Sequence, residues 1–142
     1  MKARGFCGYL AAAACGLGLA GCDESEATTG DGGFELAGNW SSEFGDEMIS
    51  QSRWDGFCLQ AVTRYDNMGN VAILETTGGE GCGTGFSKVL WKDIAGDAFD
   101  YCTAAFGEAT ADAAANAPVS AVTDDLAAGC GGFPWSHLTR KP

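Results

Sequence analysis

The sequence predicts a mainly β domain, in which an antiparallel meander of strands closes into a small barrel and one short alanine-rich helix lies near the C-terminus. Three observations support this fold. Short alternating apolar and polar segments recur between turn signals from residue 34 onward. Consecutive hairpins place sequential strands side by side, and closure removes the exposed edges of an open meander. A last apolar segment follows the helix and is positioned to complete the barrel.

Six hairpin-linked strands are predicted, over residues 34–44, 48–54, 59–65, 71–77, 86–94 and 98–106. The turn signals between them are Gly45–Asp46, Asp55–Gly56, the hairpin loop 66–70, the glycine-rich stretch 78–85 and Gly96–Asp97. In the first segment, Leu36, Trp40 and Phe44 are expected on one face. Residues 110–117 predict the helix, with Thr110 as its N-cap, and residues 133–139 predict the last strand.

The first residues have the three-part plan of an export signal. Lys2 and Arg4 precede an apolar run over residues 6–19, and small residues lead to a cysteine. The ending LAGC at residues 19–22 resembles the bacterial lipobox. That resemblance implies cleavage after residue 21, a diacylglyceryl thioether on Cys22 and a fatty acid such as palmitate on its new amino group. The alternative is a plain signal peptide with an incidental cysteine, and the run is shorter than the ~20 residues of a membrane span.

The expected organisation is therefore a lipoprotein signal peptide at 1–21, the lipidated Cys22 with an acidic flexible tether to residue 33, and one domain over 34–142. The tether would reach about 18 Å.

Removal of Lys2 and Arg4 leaves 6 basic against 19 acidic residues, a net charge of −13. Such a surface argues against nucleic acid and against docking on anionic headgroups, so we expect lipid to hold the chain in the cell envelope. The choice of inner or outer membrane, and of the periplasmic or the cell surface, is left open.

Four cysteines remain after the signal is cut and Cys22 is lipidated: Cys58, Cys82, Cys102 and Cys130. In an exported domain they predict two disulfides, with three pairings open. A hairpin centred on Met68 brings Cys58 near Gly78, from which flexible glycines let Cys82 reach back. This arrangement favours Cys58–Cys82, and it leaves Cys102 to fix Cys130 and the C-terminal segment.

Two resemblances bear on the fold. The run 91–102, the segment 110–117 and above all the CGGFPW motif at 130–135 resemble small lipoproteins of deltaproteobacteria, myxobacteria among them. That resemblance covers about residues 36–139 and implies localisation and fold; the group has no established activity, and the Cys58–Cys82 pair looks like an addition to it. Separately, Gly38-Asn39-Trp40 is similar to the Gly-x-Trp first strand of lipocalins and of avidin-type barrels, which favours a barrel.

Enzyme signatures are thin, so we expect no catalytic site, no metal and no cofactor. His137 is the single histidine, and an exposed or edge position is its favoured interpretation. Large aromatics either line a ligand cavity or, as favoured here, fill the core of a narrow barrel. They are Trp40, Trp54, Tyr65, Phe86, Trp91 and Tyr101.

The leading functional hypothesis is a non-enzymatic binding or structural module that meets an envelope protein. The alternatives are a lipocalin-like carrier of a small apolar ligand and an inhibitor of a secreted enzyme. A large cavity would favour the carrier, and a filled barrel would exclude it.

Overall fold

The computed structural model describes residues 32–142 and confirms the mainly β prediction, with eight antiparallel strands that form a closed barrel in chain order. The strands are β1 Gly38–Ser42, β2 Gly45–Ile49, β3 Arg53–Asp55, β4 Leu59–Asp66, β5 Val71–Gly78, β6 Gly85–Trp91, β7 Ala98–Glu108 and β8 Ser136–Arg140. The barrel closes where β8 pairs with β1, with Trp40 opposite Arg140. The predicted signal peptide, Cys22 and the tether up to residue 31 lie outside the described residues.

The N-terminal part of the barrel has one more strand than predicted, and its first turn is displaced. The prediction of a turn at Gly45–Asp46 was wrong, because the Ser42 hydroxyl accepts a hydrogen bond from the Phe44 amide and donates one to the Gly45 carbonyl, which places the turn earlier. The segment 48–54 is divided in the same way, because the Ser50 hydroxyl accepts from the Arg53 amide at 3.0 Å. At both sites, a serine hydroxyl thus competes with the backbone hydrogen bonds between strands and favours a turn.

Residues before β1 close one end of the barrel. The chain from Phe34 to Ala37 is a turn rather than the start of a strand, and it inserts Phe34 and Leu36 into the core. The Phe34 ring stacks on Tyr65 with ring centroids 4.6 Å apart. The Trp91 indole donates to the Glu35 carboxylate at 2.6 Å. We call this end, where β1 begins and β8 finishes, the closed end.

The Gly-x-Trp sequence has a clear structural role at the closed end. Trp40 is fully buried, packs edge-on against Phe99 and donates its indole hydrogen to the Leu36 carbonyl at 2.7 Å. The Arg140 guanidinium lies over the Trp40 ring, 4.2 Å from its centroid. A Cβ on Gly38 would overlap the Arg140 Nη1 atom, so glycine is required for the arginine to take this position.

The helix α1, Ala111–Asn116, packs on the outer face of β5 to β7. The Thr110 hydroxyl accepts from the Ala113 amide at 3.1 Å and confirms the predicted N-cap. The Lys88 ammonium donates to the carbonyls of Ala115 and Ala117 near the C-terminal end of the helix. No helix within residues 32–142 has the length and apolar character needed to cross a membrane.

Both predicted disulfides are confirmed. Cys58–Cys82 joins the β3–β4 loop to the β5–β6 loop, at the end of the barrel opposite the closed end. Cys102–Cys130 fastens the outer face of β7 to the segment that leads into β8. The first bond therefore fixes two loops around one opening, and the second holds the long connection that closes the barrel.

Candidate ligand-binding site

The half of the barrel beyond the core is hollow. A cavity of about 850 Å³ lies between the parts of the strands that are farther from the closed end, and it opens at the opposite end of the barrel. We call this opening the mouth. It is bordered by the β1–β2 turn, the β3–β4 loop, the β5–β6 loop and the last residues of β7.

The cavity exists because inward side chains become smaller toward the mouth. On β6 the inward residues run in the order Trp91, Val89, Ser87, and on β7 they run Phe99, Tyr101, Thr103. The large members fill the closed half, whereas the hydroxyl residues leave space in the other half. Polar side chains from five strands contribute to a wall that is otherwise mostly apolar: Ser42, Gln60, Thr76, Ser87 and Thr103.

A half-buried carboxylate marks the floor of the cavity. Glu47, on β2, accepts a hydrogen bond from the Trp54 indole at 2.6 Å and another from the Tyr101 hydroxyl at 3.2 Å. The Trp54 and Tyr101 rings meet edge to face, with centroids 5.1 Å apart. A Cβ on Gly56 would come within 2.9 Å of the Glu47 Cγ atom, so this glycine provides the space that the carboxylate side chain occupies.

The environment of the floor changes the acidity of both ionisable groups. Burial raises the pKa of Glu47 above its ordinary value, and the hydrogen bonds from Trp54 and Tyr101 oppose part of that rise. Burial also raises the pKa of the Tyr101 phenol, and the nearby charge of Glu47 adds to the effect. The phenol is therefore neutral at physiological pH and acts as a hydrogen-bond donor to the carboxylate.

Three phenylalanines surround the mouth. Phe44, Phe57 and Phe106 are 76%, 79% and 75% exposed, and each lies on a different element of the border. A single exposed aromatic side chain is ordinary, but three around one opening place much exposed apolar surface at its border, as binding surfaces often do. Phe44 had been expected on the same face of its strand as Leu36 and Trp40. The displaced β1–β2 turn places it at the mouth instead.

The aromatic residues singled out from the sequence divide among three places. Trp54 and Tyr101 line the cavity. Trp40, Tyr65 and Trp91 belong to the core of the closed half. Phe86 alternates with the inward Ser87 and is half-buried on the outer face of β6, in neither the core cluster nor the cavity wall.

The single histidine lies away from the cavity. The His137 Nδ1 atom is 2.8 Å from the Asp100 carboxylate, and the two residues are paired across β8 and β7 with exposed and half-buried side chains. Neither residue lines the cavity.

Comparison with known protein families, curated proteins and solved structures finds no match to this chain. The cavity is lined by two carboxylates, by the Trp54 and Tyr101 rings, by the phenylalanines of the mouth and by several hydroxyl groups, and it is open at the mouth. Groups of this kind hold and orient a small molecule by hydrogen bonds and by apolar contact.

Proposed function

We propose that this protein is a membrane-anchored bacterial lipoprotein that binds a small amphipathic molecule in the open half of its barrel. The observation that carries the proposal is the cavity of about 850 Å³ with converging polar groups at its floor. Ligand sites in proteins usually measure about 300–1,000 Å³ and combine apolar walls with a few placed polar groups. The cavity favours the carrier hypothesis over a purely structural envelope module.

The wall chemistry supports an amphipathic ligand rather than a fully apolar one. Hydroxyl and amide groups on Gln60, Thr76 and Thr103 face the interior, and covering them with a purely apolar molecule would remove their water partners without replacement. The exposed rings of Phe44 and Phe106 offer apolar contact nearer the mouth. A ligand that is polar at one end and apolar at the other matches this gradient.

The position of the mouth bears on how the ligand would be exchanged. The chain enters the domain at the closed end, beside Gly33 and Phe34, so any tether from Cys22 attaches on the side opposite the mouth. With the proposed tether of about 18 Å, the domain stays close to the membrane. We propose that the ligand passes between the cavity and the aqueous space.

A fluorescence titration tests the proposal. The mature chain, with Cys22→Ser to remove the lipid, is titrated with the uncharged probe N-phenyl-1-naphthylamine, which combines one N–H donor with two aromatic ring systems. We expect saturable one-to-one binding. Thr76→Trp fills the cavity and should weaken binding roughly tenfold or more. Glu75→Trp places the same ring on the exposed outer face of β5 and should leave binding unchanged. Absence of saturable binding, or equal affinity in the two variants, would contradict the proposal.

A further inference from the structure

We propose that the ligand carries a primary ammonium group, bound by Glu47 at the floor of the cavity beside Trp54 and Tyr101, with an apolar tail directed toward the mouth. This inference rests on the proposed ligand-binding function and names the chemical class that the cavity would take.

The distribution of charge is the first argument. Two charged side chains line the cavity, Asp46 and Glu47. Asp46 is paired with the Lys141 ammonium. Glu47 has hydrogen bonds from two neutral donors and no cation, and within residues 32–142 the cavity wall contains no Lys, Arg or His. A half-buried carboxylate without a counter-ion is unfavourable, and a ligand ammonium would supply the missing charge.

The hydrogen-bonding capacity of Glu47 is the second argument. An ionised carboxylate has about four acceptor positions, and the neighbours Trp54 and Tyr101 use one on each oxygen. About two positions therefore remain for a ligand that enters from the cavity. An ammonium group has three donors and no acceptor, so it can occupy both without leaving a lone pair facing the carboxylate.

The aromatic pair is the third argument. Trp54 and Tyr101 lie on either side of the two Glu47 oxygens, and their rings are 5.1 Å apart at an interplanar angle of 62°. Each ring directs its polar edge, the indole N–H or the phenol O–H, at one carboxylate oxygen and so fixes the orientation of the carboxylate. The aromatic pair thus holds the carboxylate in place, and its apolar ring carbons suit the carbon atoms next to a ligand ammonium.

The same features rank other ligands lower. A fatty acid would bring a second negative charge toward Glu47 in a chain whose net charge is already −11. An alcohol with the same tail could accept or donate one hydrogen bond but would leave the carboxylate without a counter-charge. The expected order of affinity is therefore amine, then alcohol, then carboxylate.

Isothermal titration calorimetry with three ligands of equal tail length tests the inference. Octylamine, octanol and octanoate are each titrated at pH 7 into the delipidated mature chain. We expect octylamine to bind at least about tenfold more tightly than octanol, and octanoate to bind most weakly. In Glu47→Gln the preference for octylamine over octanol should disappear. Asp46→Asn, which removes the other charge of the wall, should keep the preference.

The glutamine variant suits the test because its side chain can keep both hydrogen bonds. Its carbonyl oxygen accepts from the Trp54 indole, and its amide donates to the Tyr101 oxygen once the phenol turns its hydrogen away. Retained binding of N-phenyl-1-naphthylamine by Glu47→Gln would show that the cavity is intact in the variant.

Four results would overturn the inference. If the naphthylamine probe binds but octylamine and octanol have equal affinity, or if the amine preference survives in Glu47→Gln, the ammonium assignment is wrong and the ligand-binding function stands. If octanoate binds most tightly, and does so through Glu47, the residue acts as a protonated acid instead. If the probe and all three ligands fail to bind, the proposed function fails together with the inference.

Discussion

Replacement of Arg140 by alanine should destabilise the barrel although the residue lies at the surface. Its guanidinium is 4.2 Å from the centroid of the Trp40 ring and 3.4 Å from the Ala37 carbonyl, and the side chain is 37% exposed. A cation–π contact contributes about 0.5–1 kcal/mol at exposed sites and about 2 when desolvated. The long hydrogen bond adds at most about 0.5 kcal/mol.

Together these contacts predict a loss of about 1–2 kcal/mol in the free energy of unfolding for Arg140→Ala. The distant ion pair with Asp97, at 4.0 Å and with an 87% exposed carboxylate, adds nothing to this figure. For a domain of this size the melting temperature should fall by about 4–8 °C. The assay is urea unfolding followed by circular dichroism, with thermal melting in parallel. Lys141→Ala removes the adjacent exposed cation, and we expect it to behave as the wild type.

A double-mutant cycle tests whether Gly38 and Arg140 act together. Gly38→Ala should displace the guanidinium from Trp40, because the added Cβ overlaps the Arg140 side chain. The same substitution in an Arg140→Ala background should cost less, since the guanidinium is already gone. If Arg140→Ala is no more destabilising than Lys141→Ala, or if the two substitutions are strictly additive, the stacking argument is refuted.

Three further predictions concern the cavity. Replacing Cys58 and Cys82 together by serine should lower the free energy of unfolding in urea by about 3 kcal/mol, because the bond closes a loop of 24 residues. Burial raises the pKa of Glu47, so the folded state binds this proton more tightly than the unfolded state and loses stability as the pH rises above the ordinary glutamate pKa. Glu47→Gln should remove that loss. The melting temperature of the variant, relative to that of the wild type, should therefore rise between pH 4 and pH 7. Gly56→Ala should displace Glu47 and weaken octylamine binding in calorimetry while the naphthylamine probe still binds.

Each of these would be contradicted by a simple observation. The disulfide prediction fails if the serine variant and the wild type unfold at the same urea concentration. The pH prediction fails if Glu47→Gln and wild type melt with a constant difference across that range. The Gly56 prediction fails if octylamine affinity is unchanged.

The strand pattern and the sulfur pairing could be predicted from sequence because both depend on local periodicity. Alternation along β4 to β7 identifies the inward face, and the hairpin around Met68 brings Cys58 close to Cys82. The register of that hairpin, with Leu59 opposite Gly78, is close to the pairing that the turn centre implies. Where turn chemistry and periodicity agree, the prediction succeeds.

The cavity and its floor could not be predicted in the same way. Glu47 occupies an inward position two residues before Ile49, which is a weak signal. Its place at the floor of the cavity depends on Trp54 from the paired strand β3 and on Tyr101 from β7, which barrel closure brings near. The decrease in side-chain size from Trp91 to Ser87 leaves a cavity only because the inward side chains of neighbouring strands become smaller at the same level of the barrel. The β1–β2 turn and the break between β2 and β3 depend on the hydroxyls of Ser42 and Ser50, which bond to nearby backbone amides. The pattern of apolar residues does not reveal such bonds.

The most direct test of the central claim is the amide and indole NMR spectrum of the delipidated mature chain during addition of octylamine. The Trp54 indole hydrogen is bonded to Glu47, whereas those of Trp40 and Trp91 are bonded to Leu36 and Glu35 at the closed end. We predict a large saturable shift of the Trp54 indole signal, with the Trp40 and Trp91 signals unmoved. An unmoved Trp54 signal, or equal shifts of all three, would contradict binding at the floor of the cavity.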